Sequence, residues 1–474
     1  MHTPDTSPTR AMNSTDAFAH RRERLLALVD GPILLAGMGR RARNLPMNEV
    51  PFRQDSTFLY FTGCNLPEAW AWIDSSGTTL YLPAPQEDDD LWHGHVQSLE
   101  DHRIALGVQR VLPADDLPDR LLQARPRTLA IADAARTKQL ARWTGQDLAF
   151  GSRHGDPDLV QAVITLRRPK DPSEVEQLRA AANLTADAHR FVMRATRPGV
   201  HERTLAALFQ ARLATRGATT GYSTILTQHG EILHNHQHDD VCEAGRLLLL
   251  DGGAELPSGY GADVTRTWPV SGRYTARQRA AYEAVLESQA AAIDRCRVGV
   301  RYREVHDTAC LVLARFLLDE GLLKNASAEQ IVERGAHALF FPHGVGHLLG
   351  LDVHDLENFG DLPAYAPGAS RPEPFGTRYL RLDLPLEAGW VVTVEPGFYV
   401  VPSILRRADL RERFADLLVP DALPAWEGFG GIRIEDDILI TPDGPDNLSA
   451  ACPKSVADVE ALVGAGVPWE ELIA

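Results

Sequence analysis

From residue 18 to about 165 the chain alternates short apolar runs (GPILLAG, STFLYFTG, AWAWID, TTLYLPAP, TLAIADA and DLAFGS) with helical patterns, which predicts a mixed α/β region. The run Arg167-Arg168-Pro169-Lys170-Asp171-Pro172 breaks this pattern, because two prolines oppose continued regular structure. Asp171 then reads as an N-cap, Pro172 as N1 and Glu174 as N3, a capping box that opens a long helix. The domain boundary falls here, giving an N-terminal domain over 18–170 and a second over 171–474. Residues 1–17, rich in Ser, Thr and Pro and lacking an apolar core, read as a disordered leader. Past the boundary, helical periodicity covers 172–197, 202–216, 275–296 and 302–321, with β-type runs RLLLLDGG, GADVTRTWPV, VVTVEPGFYV and GGIRIEDDILIT between and after them. Helices first and strands later predict an α+β fold with a curved, mostly antiparallel sheet. The stretches 361–385, Pro-rich, and 402–428, charged, read as insertions, and long loops in compact domains are often functional.

Charge narrows the partners. With 48 basic and 64 acidic residues in 474, the formal charge of −16 repels phosphate backbones and anionic lipid surfaces, so neither nucleic acid nor membrane is expected as a partner. The five cysteines, Cys64, Cys242, Cys296, Cys310 and Cys452, are widely spaced with no C-x-x-C pair. Neither a disulfide framework nor a zinc ribbon follows, and a reducing cytoplasm is the expected location. The longest uncharged apolar stretch, 336–351, carries three histidines, a proline and several glycines, and is too short and polar to span a bilayer.

Familiar nucleotide and nucleophile motifs fail on context. Gly37-Met38-Gly39-Arg40-Arg41-Ala42 matches G-x-G-x-x-A in form, but Pro46 and Pro51 interrupt the helix that a dinucleotide site requires, so a turn is expected. Gly344-Val345-Gly346 has the wrong third spacing, and no H-E-x-x-H, P-loop or G-x-S-x-G occurs.

The chemistry lies in acids embedded in apolar strands: Asp251 ending RLLLL, Asp263 in GADVTRTW, Glu395 in VVTVEPG and Glu435 in GGIRIEDD. One such residue is more often a turn or ion-pair residue. Four half-buried carboxylates that converge need a cation, because an unpaired buried carboxylate is costly. Histidines supply further candidates, with His343, His347 and His354 close together and His234, His236 and His238 preceding Asp251. The glycines around His343 and His347 predict a turn entering a strand rather than a helix face. A donor set mostly of oxygen with one imidazole favours Mn²⁺, Co²⁺ or Zn²⁺. Several carboxylates carry enough charge for two ions, which at about 3.5–4 Å apart can share a water and hold a scissile carbonyl, the chemistry of a hydrolase.

D251-GG-x8-AD263-VTRTWP, PHGVGHLLGLDVHD (342–355), TVEPGFY (393–399) and GGIRIEDDILIT (430–441) together resemble the metal-site segments of the creatinase-like "pita-bread" metallopeptidases, in the Xaa-Pro branch containing aminopeptidase P and prolidase. PFRQDSTFLYFTGCNLPEA (51–69) and TLYLPAPQEDDDLWHG (79–94) resemble that branch's N-terminal domain. The resemblance implies a pita-bread catalytic domain with two divalent ions, Mn²⁺ first, held by Asp251, Asp263, His347, Glu395 and Glu435, with Asp263 and Glu435 bridging. It implies Glu395 as general base, His343 and His354 as the histidines that act on the substrate carbonyl and tetrahedral intermediate, and His234 lining the proline pocket. Arg433 matches an arginine beside the ligands, Tyr399 the aromatic of EPGxY, and Tyr222 a substrate-side position. Trp92 matches a tryptophan that reaches a neighbouring subunit's active site, which implies a homo-oligomer. The chain departs from the family pattern in two places: Asp251 to Asp263 is one step longer, so the turn at Leu256-Pro257-Ser258-Gly259 should carry a bulge or longer loop, and TQHGEIL precedes His234 where the family has a Ser-Gly-Glu-Asn turn.

Substrates are then peptides with proline second. Arg381, fourteen residues before Glu395, stands where prolidases resemble one another in carrying an arginine, a natural bidentate reader of a free carboxylate. The 40-step spacing from Glu395 to Glu435 also resembles prolidase. The expectation therefore leans to dipeptides, with an aminopeptidase acting on longer peptides as the alternative. A non-catalytic binding module, a creatinase-like amidinohydrolase and a phosphotriester hydrolase are remoter possibilities.

Overall fold

The structure, a computed structural model, describes residues 15–86 and 88–467. The described residues divide into two compact units, one comprising 169–355 and 364–467, the other 15–86 and 88–168 together with 356–363. Of the expected leader, 1–14 lies outside the described residues, while 15–17 open the helix Thr15–Leu28.

In the N-terminal unit the strands Ile33–Ala36, Trp70–Asp74 and Gly77–Leu82 pair antiparallel in that order, and Arg110–Pro113 adds in parallel. Their core holds Leu34, Trp70, Trp72, Tyr81 and Leu140. STFLYFTG forms the helix Ser56–Thr62, bracketed by an Asp55 side chain that accepts from Phe58 N and by Gly63 at φ 64°. Every one of its residues is buried, so no amphipathic period marks it as a helix. TLAIADA and DLAFGS contribute only isolated bridges. The Gly37-Met38-Gly39 turn leads into no helix, and its N–H groups are consumed internally: Met38 N donates to Gln54 Oε1 at 2.7 Å and Gly39 N to Asp133 Oδ2 at 3.0 Å.

In the C-terminal unit the four long helices are Pro172–Ala195, Glu202–Ala214, Ala276–Arg295 and Tyr302–Asp319. The capping box at Asp171 and Glu174 forms in both directions, and Thr275 with Gln278 forms another. All strand pairs of this unit are antiparallel. They form four short ladders rather than one continuous sheet: Ile225–Thr227, Leu247–Asp251 and Thr265–Pro269; Thr219–Thr220 with Ala254–Glu255; Val391–Val394, Asp436–Thr441 and Gly444–Asn447; and Gly397–Tyr399 with Gly431–Arg433. The extra length between Asp251 and Asp263 is taken up by a turn over 256–260 closed by Gly259 N to Leu256 O, with Gly259 at φ 87°.

Neither presumed insertion is a loose loop. Over 402–428 the chain forms the helices Pro402–Leu405 and Ala408–Arg413 and the 3-10 turn Pro420–Trp426, burying Leu405, Leu410, Phe414, Leu417, Leu418 and Trp426 in the main core. Its charges mask an apolar set spaced irregularly by short turns. Within 361–385, Tyr365, Leu380 and Leu382 are buried, and the Tyr365 hydroxyl donates to Leu380 O at 2.5 Å.

Candidate metal centre and active site

The four strand-embedded acids stand where one ladder gives way to the next. Asp251 ends Leu247–Asp251 just before the switch to Ala254–Glu255, and Asp263 precedes Thr265–Pro269. Glu395 occupies the break between Val391–Val394 and Gly397–Tyr399, and Glu435 the break between Gly431–Arg433 and Asp436–Thr441. Because Val394 pairs with Asp436 and Gly397 with Arg433, the two glutamates sit across from each other at one crease. The aspartate hairpin is equally constrained, since a Cβ on Gly253 would lie 1.7 Å from the Ala262 carbonyl oxygen.

These elements bring the oxygens together. One ligand atom each from Asp263, His347 and Glu435 lie within 4.8 Å of one another, all three residues buried. His347 Nε2 is 3.4 Å from Asp263 Oδ2 and 3.6 Å from Glu395 Oε1. The Tyr222 hydroxyl meets Asp251 Oδ1 at 2.6 Å and also contacts Asp263 Oδ1, so the two aspartates converge on it. Thr265 Oγ1 donates to Glu435 Oε2 at 2.6 Å, and Asp263 N donates to both Asp437 oxygens at 3.2 and 3.3 Å.

Hydrogen bonding fixes the imidazoles. His347 Nδ1 lies 3.0 Å from the Leu348 carbonyl, which can only accept, so the proton is on Nδ1 and the Nε2 lone pair faces the carboxylates. His343 is held likewise, Nδ1 to the Gly344 carbonyl at 2.8 Å, and its Nε2 accepts from the Tyr399 hydroxyl at 2.8 Å. That hydroxyl accepts in turn from Arg433 Nη1 at 3.1 Å, while Arg433 Nη2 donates to Asp251 Oδ2 at 2.5 Å. A buried chain thus runs from Asp251 through Arg433 and Tyr399 to His343. His354 packs edge-on against His347 with ring centroids 4.2 Å apart. His234 is exposed, and the charges of Arg381, Arg433 and Asp251 all act on it. Arg381 also acts on His343 and His354, which places it on the same side of the unit. Trp92, 65% exposed on the short helix Asp89–His93, belongs to the N-terminal unit and is not among these side chains. His236 is exposed and His238 bonds the Leu226 carbonyl, so neither joins the cluster.

Electrostatics expose what the cluster lacks. Burial pushes the Glu395 carboxyl up to about 7, with His347 and Arg433 opposing and the Asp263 and Asp251 charges reinforcing the rise. Burial, then the charges of Asp263, Glu395 and Asp251, drives Glu435 well above the ordinary carboxylate range, and burial likewise raises Asp263. Asp251, Asp263, Glu395 and Glu435 gather here beside the Arg433 guanidinium. Oxygen donors in majority, one imidazole with its lone pair turned inward and uncompensated negative charge fit divalent cations of the hard to borderline class.

Sequence reasoning missed the supports. Asp437 shares the face of Glu435, whereas Asp436 points the other way into a buried pair with Arg266 at 2.7 Å and Lys454 at 2.5 Å. Arg266 alternates in turn with Thr265, which bonds Glu435, and Thr267, whose hydroxyl donates to the Arg433 carbonyl at 3.0 Å. Period-two alternation through EDD and TRT was the available signal.

Antiparallel ladders with carboxylates at the breaks between them, gathered around an inward-facing imidazole, are the arrangement of a metallopeptidase of the pita-bread class. Residues 176–442 match the metallopeptidase family M24 and residues 18–130 the aminopeptidase P N-terminal domain, and the chain belongs to the M24 family. It is 33% identical over 459 residues to a probable Xaa-Pro aminopeptidase of Uncinocarpus reesii, covering 92% of this chain and 91% of that protein. It is 34% identical over 433 residues to a probable Xaa-Pro aminopeptidase of Aspergillus fumigatus, covering 87% and 88%. Among solved structures it is similar to zinc-substituted E. coli aminopeptidase P in complex with product, with TM-score 0.79, 30% identity and 96% and 100% of the two chains covered. Pseudomonas aeruginosa aminopeptidase PepP gives TM-score 0.79 at 27% identity, covering 96% and 99%. These relatives carry the aminopeptidase name, which favours the longer-peptide alternative over the dipeptide lean. No helix among the described residues is long and apolar enough to cross a membrane.

Proposed function

We propose that this protein is an Xaa-Pro aminopeptidase that removes the N-terminal residue from peptides with proline second, including peptides longer than two residues. The observation that carries the reading is the convergence of Asp263, His347 and Glu435 within 4.8 Å, with Glu395 3.6 Å from the same imidazole nitrogen. Asp251, Asp263, His347, Glu395 and Glu435 would hold two divalent ions, Mn²⁺ first, with Asp263 and Glu435 shared between them. When bound, such ions polarise a carbonyl oxygen and acidify water.

The protein's own groups do the rest. The peptide's free amine is drawn to the acidic end at Asp251, whose orientation Arg433 fixes. Glu395, with its affinity for a proton raised by burial, takes the proton from the attacking water and returns it to the proline nitrogen as the leaving amine forms. Like any amide nitrogen, the proline nitrogen must be protonated to leave, because an amide anion is too poor a leaving group. His354, beside His347, is placed to donate to the developing oxyanion, and His343 orients the Tyr399 hydroxyl on the opposite side. His234 and Tyr222 line the substrate side. Arg381 supplies positive charge there without being reserved for a dipeptide carboxylate. Leu91 and Trp92, 74% and 65% exposed on one short helix, support a homo-oligomer, and the reading places the enzyme in the cytoplasm.

The test is a paired assay with Mn²⁺: proline release from an Xaa-Pro dipeptide against N-terminal residue release from an Xaa-Pro tetrapeptide. Efficient cleavage of the tetrapeptide is expected. Cleavage of the dipeptide alone would return Arg381 to the role of carboxylate clamp, and cleavage of neither would overturn the peptidase reading.

A further inference from the structure

A second group of metal-ligating atoms lies in the same unit, built from entirely different donors. His306 and Cys310 stand four residues apart on the helix Tyr302–Asp319 and therefore face the same way. His337 comes from the 3-10 turn Ala336–Leu339 that follows the helix Ala328–Arg334. A nitrogen of each imidazole and the Cys310 sulfur all lie within 4.8 Å of one another. The three residues are 1%, 0% and 3% exposed. Cys310 Sγ is 3.4 Å from His306 Nε2. Donors bound tetrahedrally to zinc at about 2.0–2.3 Å sit about 3.3–3.8 Å apart, so this edge already has the right length.

His337 provides the independent observation. Neither of its ring nitrogens has a hydrogen-bond partner, although the ring is buried. The Ile331 carbonyl acts on the ring but does not meet hydrogen-bond geometry with either nitrogen. A buried imidazole with both nitrogens unsatisfied is an exception that calls for an unseen partner. The Cys310 sulfur, for its part, meets the His306 ring at 3.4 Å from Nε2 and 3.9 Å from Nδ1.

We propose that His306, Cys310 and His337 form a second metal site, distinct from the carboxylate centre, that takes one thiophilic ion of the Zn²⁺ type. One sulfur and two imidazole nitrogens suit such an ion and disfavour Mg²⁺ or Mn²⁺. On binding, the Cys310 S–H bond breaks, the proton passes to solvent, and the sulfur lone pair forms the metal bond; nothing is oxidised or reduced. The ion ties the helix Tyr302–Asp319 to the segment that runs on to His343 and His347. Phe341 separates the two sites, its ring 5.6 Å from that of His306 and 4.8 Å from that of His343. The site's task is to hold that corner of the fold.

The experiment uses the full-length protein stripped with a chelator and reloaded with Co²⁺. A thiolate bound to Co²⁺ gives a near-ultraviolet charge-transfer band that a carboxylate and imidazole site cannot give. The band is expected in the wild-type protein and lost in Cys310→Ser, which also loses one zinc per chain by elemental mass spectrometry while keeping its peptidase activity. Should Cys310→Ser fail to fold, His337→Asn serves the same comparison. Absence of the band in Co²⁺-saturated wild-type protein, or equal zinc content in wild type and a folded variant, overturns the proposal. Failure of the peptidase reading would leave the band untouched.

Discussion

Arg433 and Asp251 are joined at 2.5 Å inside the C-terminal unit, guanidinium 4% and carboxylate 12% exposed at their side chains. The same guanidinium reaches Tyr399, so the acid at one crease of the sheet and the His343 ring beyond Tyr399 are held by a single planar group. Arginine's rigid fork gives each partner its own nitrogen at a fixed spacing, whereas an ammonium offers its three N–H groups from a single atom.

Arg433→Lys keeps the charge but loses at least one charge-assisted hydrogen bond, worth about 1.5–3 kcal/mol, so kcat/KM is expected to fall by about tenfold to a hundredfold. Steady-state kinetics on an Xaa-Pro tetrapeptide measures it. Activity within a fewfold of wild type would show that Lys suffices and that the fork has no role.

Tyr399→Phe removes only the hydroxyl between Arg433 and His343. About a tenfold loss in kcat/KM is expected, roughly 1.4 kcal/mol, since the hydroxyl makes two buried hydrogen bonds worth about 0.5–1.5 kcal/mol each. If the two residues act as one chain, Tyr399→Phe and His343→Ala combined should cost less than the sum of the single changes. A strictly additive double-mutant cycle would separate them.

Asp263→Asn keeps the shape of the residue that lies 3.4 Å from His347 and removes its charge. Metal bound per chain and metal-dependent turnover should both fall, measured by elemental analysis and by proline-peptide cleavage. Undiminished turnover would refute the assignment of Asp263 as a shared ligand.

Asp74, in the N-terminal unit, tests acid stability away from the metal centre. Burial works to raise its carboxyl, but hydrogen bonds from Ser76 and Trp72 and the Arg120 guanidinium outweigh it and bring it from 3.8 down to about 2. A depressed carboxyl contributes stability that is complete above the unfolded value and is lost as pH falls through the folded one. The window is thus about pH 4 to 2, and the contribution about 1–2 kcal/mol after allowing for partial exposure. Denaturant melts of wild type and Asp74→Asn should differ at pH 5 and converge as pH approaches 2. A constant gap would mean that the carboxylate is not the source.

Much of this centre was legible because its acids interrupt apolar strands, which is chemically conspicuous in a linear sequence: Asp251, Asp263, Glu395 and Glu435 stand out beside RLLLL, VVTV and GGIRI. The helix starts were legible for a local reason, since Asp171 and Thr275 bond their own third neighbours. What stayed hidden depends on distant partners. Nothing near Tyr399 in sequence announces that it joins His343 to Arg433, and Lys454 meets Asp436 only after the strand turns back. The 402–428 segment was misread because its charged surface residues outnumber the few apolar ones that anchor it. STFLYFTG concealed its helix by being buried on all sides.

The alternation of Glu435, Asp436 and Asp437 makes this stretch intolerant of changes in length. Deleting or inserting one residue between Arg433 and Thr441 would turn Asp436 toward the metal centre and leave Glu435 and Asp437 facing Arg266 and Lys454. Each face would still meet an acid, but one held at the wrong reach, and Ile434 or Ile438 would move into a position that now holds a carboxylate. Point substitutions here can be graded in their effects, but a shift of reading position can only be all or nothing.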